Sequence, residues 1–145
     1  TVLAEPVTPE YLRFVRDQLP KTAPGHTIVA YNVAVVDSSP GTARDLARSA
    51  LAWIGDPEWA PHIDPLPFAE AFAALRAAAA SREAFAAQLP DEWVDQLAIV
   101  GSPEQARARV EELAAAGADH VVLIPAGFDP IDALDALSSI LPPSD

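Results

Sequence analysis

The stretch AIVGSPEQARARVEELAAAGADHVVLIPAG, residues 98–127, contains one strand–helix–strand unit. The short apolar run at its start ends at Ser102, whose hydroxyl can cap the first backbone N–H groups of a helix. Pro103 then occupies the first helical position, where its missing N–H costs nothing. The helix ends at Gly117, and the almost entirely apolar segment His120–Ile124 is typical of a parallel strand covered on both faces. The apolar stripe of the helix consists of Ala106, Val110, Leu113 and Ala114.

The same local pattern occurs three more times along the chain. The copies are VLAEPVTPE at 2–10, VAVVDSSPG at 33–41 and VVLIPAGFDPID at 121–132. Each has a short β-type run, then a turn, then a capping residue directly before proline, so we predict helix caps at Thr8, Ser39, Ser102 and Asp129. A longer strand is predicted over Thr27–Val36. Strands that alternate with capped helices indicate βαβ units and a parallel sheet.

The alternation stops between Gly55 and Leu97. The segment GDPEWAPHIDPLPF at 55–68 is a proline-rich connection, and helical patterns follow over Phe68–Leu89 and Asp91–Gln96. We therefore predict a helical insertion at about 55–96, placed before the last strand. Insertions of this kind often form a lid or a pocket wall.

Composition excludes several classes of function. The formal net charge of −12 disfavours binding to phosphate backbones, so no nucleic-acid partner is expected. No apolar run approaches the roughly 18 residues of a membrane span, and the absence of cysteine excludes disulfides and thiolate chemistry. A cytoplasmic protein is the expectation. No GxGxxG, Walker, GxSxG or HExxH motif is found, which argues against Rossmann, phosphoryl-transfer, hydrolase and zinc-protease functions.

Residues 89–127 resemble the last third of luciferase-like monooxygenases, a superfamily that includes bacterial luciferase, flavin-dependent alkane monooxygenases and reductases that use coenzyme F420. The resemblance is carried by the turn VGSPE at 100–104, the helix behind it, the turn AGAD at 116–119 and the closing strand. The opening TVLAEPVTPEYLRFVRDQL at 1–19 resembles the sixth strand and helix of that family. The branch it resembles is the F420-dependent, methylenetetrahydromethanopterin-reductase-like one.

The resemblance implies an α/β fold in which parallel βα units form about strands six to eight of a TIM (β/α)8 barrel. A complete barrel takes about 250 residues, so we predict that the whole chain, 1–145, is the C-terminal part of one. In this family FMN or F420 binds at the C-terminal ends of the strands, with much of the contact coming from earlier strands. We therefore expect this chain to contribute part of the pocket wall and to bind neither cofactor alone. We assign no catalytic residue.

Three candidate pocket residues, Ala4, Glu5 and Pro6, follow the first strand at the mouth, where barrel chemistry resides. The Glu5 carboxylate could orient a substrate or accept a proton, or it could be a solvated loop residue. Asn32 is a polar residue within an apolar strand and needs hydrogen-bond partners. Those partners are either a ligand in the barrel lumen or a side chain of a neighbouring strand.

Trp59 and His62 in the insertion could form pocket wall over an aromatic cofactor, or they could anchor the loop. Their spacing with the nearby carboxylates matches no metal-ligand pattern, so no metal is predicted. Pro125 and Gly127 follow the last strand, and Gly127 would allow a ligand to approach the backbone closely.

Two functions remain open from the sequence. The first is a C-terminal fragment of an FMN- or F420-dependent oxidoreductase that acts on a small-molecule substrate. The alternative is a non-catalytic half-barrel that self-associates or binds a partner. A half-barrel leaves two strand edges and an apolar inner face open, so we expect a homo-oligomer or association with a missing N-terminal half. An upstream reading frame of about 150–200 residues with strand–helix alternation would favour the first.

Overall fold

The computed structural model describes residues 1–19 and 25–141, which form four parallel strands and eight α-helices. A single 3-10 turn, Pro57–Trp59, precedes α3. The elements are β1 Val2–Leu3, α1 Pro9–Gln18, β2 Val29–Val36, α2 Pro40–Ala50, α3 Ala60–Ile63, α4 Ala69–Ala78, α5 Arg82–Ala87, α6 Asp91–Leu97, β3 Ile99–Gly101, α7 Pro103–Ala116, β4 His120–Pro125 and α8 Pro130–Ser138.

β2 is the centre of the sheet, because each of the other strands pairs with it in parallel. β1 aligns with residues 29–30 of β2, β3 with 34–36 and β4 with 29–34. A strand has two edges, and β4 shares Val29 with β1 and Ala34 with β3. β1 and β3 therefore lie one after the other along one edge of β2, and β4 lies along the other.

The parallel sheet is confirmed. The insertion lies between α2 and β3, close to the expected range of about 55–96. Two strands, β3 and β4, follow it, as the strand–helix–strand unit at 98–127 predicts, so its placement before the last strand alone is wrong.

Three of the four predicted caps form. The Thr8 hydroxyl accepts a hydrogen bond from the Tyr11 N–H at 3.1 Å, and Ser102 forms a reciprocal capping box with Gln105. The Asp129 carboxylate accepts from the N–H groups of residues 131 and 132. Ser39 makes no side-chain cap bond, so that prediction is wrong. The reason is local, because the Asp37 carboxylate accepts a bond from the Ser39 N–H at 2.7 Å and closes the turn instead.

Helices cover both faces of β2. Ala30, Ala34 and Val36 pack on one face with α1, α7 and α8, whereas Val33 and Val35 pack on the other with α2 and the insertion. The predicted open inner face is therefore wrong around Val33 and Val35. The reason is that α2 packs on the face opposite α1, and the insertion covers the rest of that face around Val33 and Val35.

β4 differs from the prediction of a strand covered on both faces. Val121, Val122, Leu123 and Ile124 are each only half-buried. Within residues 1–19 and 25–141 no strand pairs with the edge of β4 that faces away from β2. That free edge explains the incomplete burial.

Candidate functional site

A group of aromatic side chains lies at the C-terminal end of β1, where the insertion meets the β1–α1 loop. The imidazole Nδ1 of His62 donates a hydrogen bond to the carbonyl oxygen of Pro6 at 3.0 Å. His62 reaches this position because the short helix α3 follows directly on the 3-10 turn and presents it to the loop. We call the following group the His62 cluster: Glu5, Pro6, Tyr11, Trp53, Trp59 and His62.

Ring contacts hold the cluster together. The imidazole of His62 stacks on Tyr11 with ring centres 4.2 Å apart, and Trp59 meets His62 edge-on at 5.2 Å. Trp53 in turn packs edge-on against Trp59 at 4.3 Å. Such pairs contribute about 0.5–1.5 kcal/mol each beyond area burial, so the cluster is a rigid apolar wall with a few polar atoms.

Burial and hydrogen bonding set the charge state of the cluster. Burial lowers the pKa of His62, while the Pro6 carbonyl and the Glu5 charge act in the opposite direction. Burial also raises the pKa of the Tyr11 phenol. Because a carbonyl can only accept, the proton of the neutral imidazole is on Nδ1, which leaves Nε2 as an acceptor. The cluster therefore offers one basic nitrogen and the nearby Glu5 carboxylate beside flat apolar rings.

Asn32 lies on β2 and is fully buried. Its Oδ1 accepts from the Val7 N–H at 2.9 Å and its Nδ2 donates to the Val7 carbonyl at 3.1 Å. The amide thus fixes the β1–α1 loop against β2. Contact between Asn32 and a ligand stays a prediction.

The predicted residues of β4 lie at a different place. Pro125 pairs with Ala34 on β2, and Gly127, at a φ of 151°, lines a cavity of about 250 Å³ between the end of β2 and α8. Three acidic residues, Asp37, Asp129 and Asp132, also line that cavity. An anionic lining repels phosphate.

The structure thus brings together Glu5 and Pro6 with Trp59 and His62, with the exposed Ala4 next in sequence. Sequence reasoning missed Tyr11 and Trp53. Tyr11 stands next to Leu12 in the first turn of an amphipathic helix, where an aromatic residue is typical of ordinary core packing. Its stacking partner is far along the chain, and no local signal marks that contact.

Both FMN and F420 carry phosphate, so a cofactor site needs cations or free N–H groups as well as a ring wall. Every arginine of the chain already has an acidic or carbonyl partner within the described residues. The pairs are Arg13 with Glu10, Arg16 with Asp119, Arg44 with Asp95, Arg48 with Asp91, Arg76 and Arg82 with Asp56, Arg107 with the Ser139 carbonyl, and Arg109 with Glu112. None of these arginines belongs to the His62 cluster, so the cluster fits the flat ring of such a cofactor but not its phosphate.

In the described part of the chain, no group of three or more histidine and acidic side chains could hold a metal ion. No helix in the same ranges is long and apolar enough to cross a membrane.

A family model described as luciferase-like monooxygenase matches residues 8–120, well over half of the chain. The chain belongs to the luciferase-like monooxygenase family. The match begins at the Thr8 cap and ends at the start of β4. The matched residues of this luciferase-like chain therefore include the whole insertion and α7. The predicted family is confirmed, and the F420-dependent branch stays a prediction. A comparison with curated protein sequences gives no significant match.

Proposed function

We propose that this luciferase-like chain is the C-terminal portion of an FMN- or F420-dependent oxidoreductase and supplies one wall of its pocket. The observation that carries the proposal is the His62 cluster, in which the insertion meets the C-terminal end of β1. The C-terminal ends of the strands are where the active sites of α/β barrels are built. A bound flavin or deazaflavin would supply the redox chemistry, as cofactors do generally.

The residues of the cluster have distinct roles in this proposal. Trp59 and Tyr11 limit the access of water and give a ring-shaped ligand a flat surface. His62 offers Nε2 as a hydrogen-bond acceptor in a tautomer fixed by Pro6. Glu5, half-buried beside it, orients a donor group of a small-molecule substrate.

The remainder of the site is proposed to come from other βα units. In the part of the chain that the structure describes, β4 has a free edge and half-buried apolar side chains, which is typical of a strand that lacks a neighbour. No arginine belongs to the His62 cluster, so the phosphate of the cofactor would be held elsewhere. TIM-barrel closure next to β4 is part of this proposal, as is a cytoplasmic location.

Cofactor titration tests the proposal. FMN and F420 would be titrated, with fluorescence detection, against this chain alone and against the full-length product of its gene. We expect no binding by the chain alone and stoichiometric binding of one cofactor by the full-length protein. His62→Ala in the full-length protein should weaken that binding about tenfold, whereas His26→Ala, at an exposed loop position, should not.

Binding of neither cofactor by the full-length protein would contradict the function. A stoichiometric cofactor on the chain alone would contradict the view that its pocket is incomplete.

A second candidate function, self-association without catalysis, is favoured by one observation. Phe128 is 98% exposed, and Ile131 and Leu134 on α8 are exposed beside it. Apolar groups of this size gathered on one surface are typical of an interaction site. Sedimentation equilibrium should show association that Phe128→Ser with Leu134→Ser reduces, and Phe14→Ser, an exposed change on α1, leaves unchanged. A strictly monomeric wild-type chain would contradict this function.

A further inference from the structure

The insertion forms an open cavity that is separate from the His62 cluster. It has a volume of about 450 Å³, within the usual range for small-molecule sites. The single turn α3 stands between the two, because Ala60 and Ile63 line the cavity while His62 of the same turn contacts Pro6. Most of its lining is apolar, and α4 contributes Ala69, Phe72, Ala73, Arg76 and Ala77.

One cation is held in the cavity wall by several contacts. The Arg76 side chain lies flat over Gly55, where an added Cβ would stand 2.6 Å from Cδ. Its Nη2 donates to the Asp56 carboxylate at 3.3 Å, and its guanidinium lies 6.0 Å from the centre of the Phe85 ring. These contacts leave Nη1 without a hydrogen bond inside the described part of the chain, and the buried Nε has no partner there either. Arg76 is thus a positioned donor with two nitrogens that lack partners.

The charges near Asp56 come from two arginines and several carboxylates. Both Arg76 and Arg82 bind the one Asp56 carboxylate, which is itself buried. Glu83 acts on both arginines, Glu58 acts on Arg82, and Asp64 lines the cavity. These three carboxylates are exposed, so water screens their charges more strongly than the charge of the buried Asp56.

We propose that this cavity binds a small aromatic carboxylate, with the ring among the alanines and Phe72 and the carboxylate on Nη1 of Arg76. A flat ring suits walls made of methyl groups and one phenyl ring. A carboxylate satisfies the free guanidinium nitrogen with a charge-assisted bond. This site is distinct from the cofactor wall, so it stands or falls separately from the proposed function.

Calorimetric titration of the chain with 2-naphthoate, and with its neutral analogue 2-naphthamide, tests the proposal. We expect the acid to bind more tightly than the amide. Ala73→Trp, at an exposed position on the cavity wall, should abolish binding of both. Ala74→Trp, one residue along α4 and outside the lining, should leave it unchanged.

Charge variants test the role of Arg76. Arg76→Gln should weaken binding of the acid roughly five- to tenfold and leave the amide unchanged, and Asp64→Asn should strengthen binding of the acid alone. If Arg76→Gln fails to fold, Arg76→Lys should still prefer the acid to the amide. The site would be overturned if the wild-type chain binds no naphthoate or if binding survives Ala73→Trp. The role of Arg76 would be overturned if Arg76→Gln weakens binding of the acid and the amide equally.

Discussion

The Nδ1 of His62 donates to the carbonyl oxygen of Pro6 at 3.0 Å, across a separation of 56 residues along the chain. This bond joins the insertion to the loop that follows β1. It also determines the tautomer of an imidazole whose pKa is lowered mainly by burial. Stability and the chemistry of the site are therefore linked through one side chain.

The first prediction concerns pH. Unfolded His62 binds its proton near its ordinary pKa of 6.5, whereas the folded imidazole requires a lower pH. Its contribution to the free energy of unfolding is therefore complete above pH 6.5 and is lost as the pH falls, by at most about 1.4 kcal/mol per pH unit. Urea unfolding between pH 7.5 and 5.5 should show a smaller decrease in His62→Gln than in wild type.

The matched control for that experiment is His26→Gln, which makes the same substitution at an exposed histidine outside the insertion. Equal slopes for wild type and His62→Gln would show that His62 titrates normally in the folded protein.

A second prediction concerns Asn32. Asn32→Leu keeps the volume but removes both partners of the buried Val7 backbone groups. We expect the free energy of unfolding to fall by about 2–4 kcal/mol, because each unsatisfied group costs about 1–3 kcal/mol. Urea denaturation measures the change, with the exposed Ser49→Ala as a control within about 0.5 kcal/mol of wild type. A loss below about 1 kcal/mol would refute the structural role of this amide.

Two serines in the same sequence context should respond differently to alanine. Ser102→Ala removes a capping box and should destabilise the protein by about 1 kcal/mol. Ser39→Ala should have little effect, because the Ser39 side chain makes no cap bond. Thermal unfolding of the two variants side by side makes the comparison, and equal losses would contradict the assigned caps.

Two glycines form a similar pair. A Cβ at residue 55 would meet Phe85 Cε1 at 2.8 Å and the Arg76 side chain even closer, whereas a Cβ at residue 41 has no heavy atom within 4 Å. Gly55→Ala should therefore cost about 1–3 kcal/mol through overpacking. Gly41→Ala, inside α2, should be neutral or stabilise by up to about 1 kcal/mol. The free energy of unfolding of both variants is measured by chemical denaturation. A Gly55→Ala variant as stable as the wild type would contradict the close contact, because it would show that the insertion can shift.

The sequence predicts what local chemistry determines. Caps such as Thr8 and Ser102, the parallel strands and the extent of the insertion follow from signals a few residues long. The stacking of His62 on Tyr11 does not, because no periodicity relates residues so far apart. The capping pattern gave a wrong prediction at Ser39, because the Asp37 carboxylate accepts a hydrogen bond from the Ser39 N–H and closes the turn. The face chosen by α2 likewise depends on packing with α5 and α6, which a capping pattern does not encode.

The arrangement of the sheet has a consequence for how the molecule opens. Because every pairing of the described sheet includes β2, the two-residue β1 can detach while the other pairings stay intact. Release of β2, in contrast, breaks all three strand pairings at once. In hydrogen–deuterium exchange, the amide protons of Ala30–Val36 should therefore exchange only through global unfolding, and those of β1 through local opening.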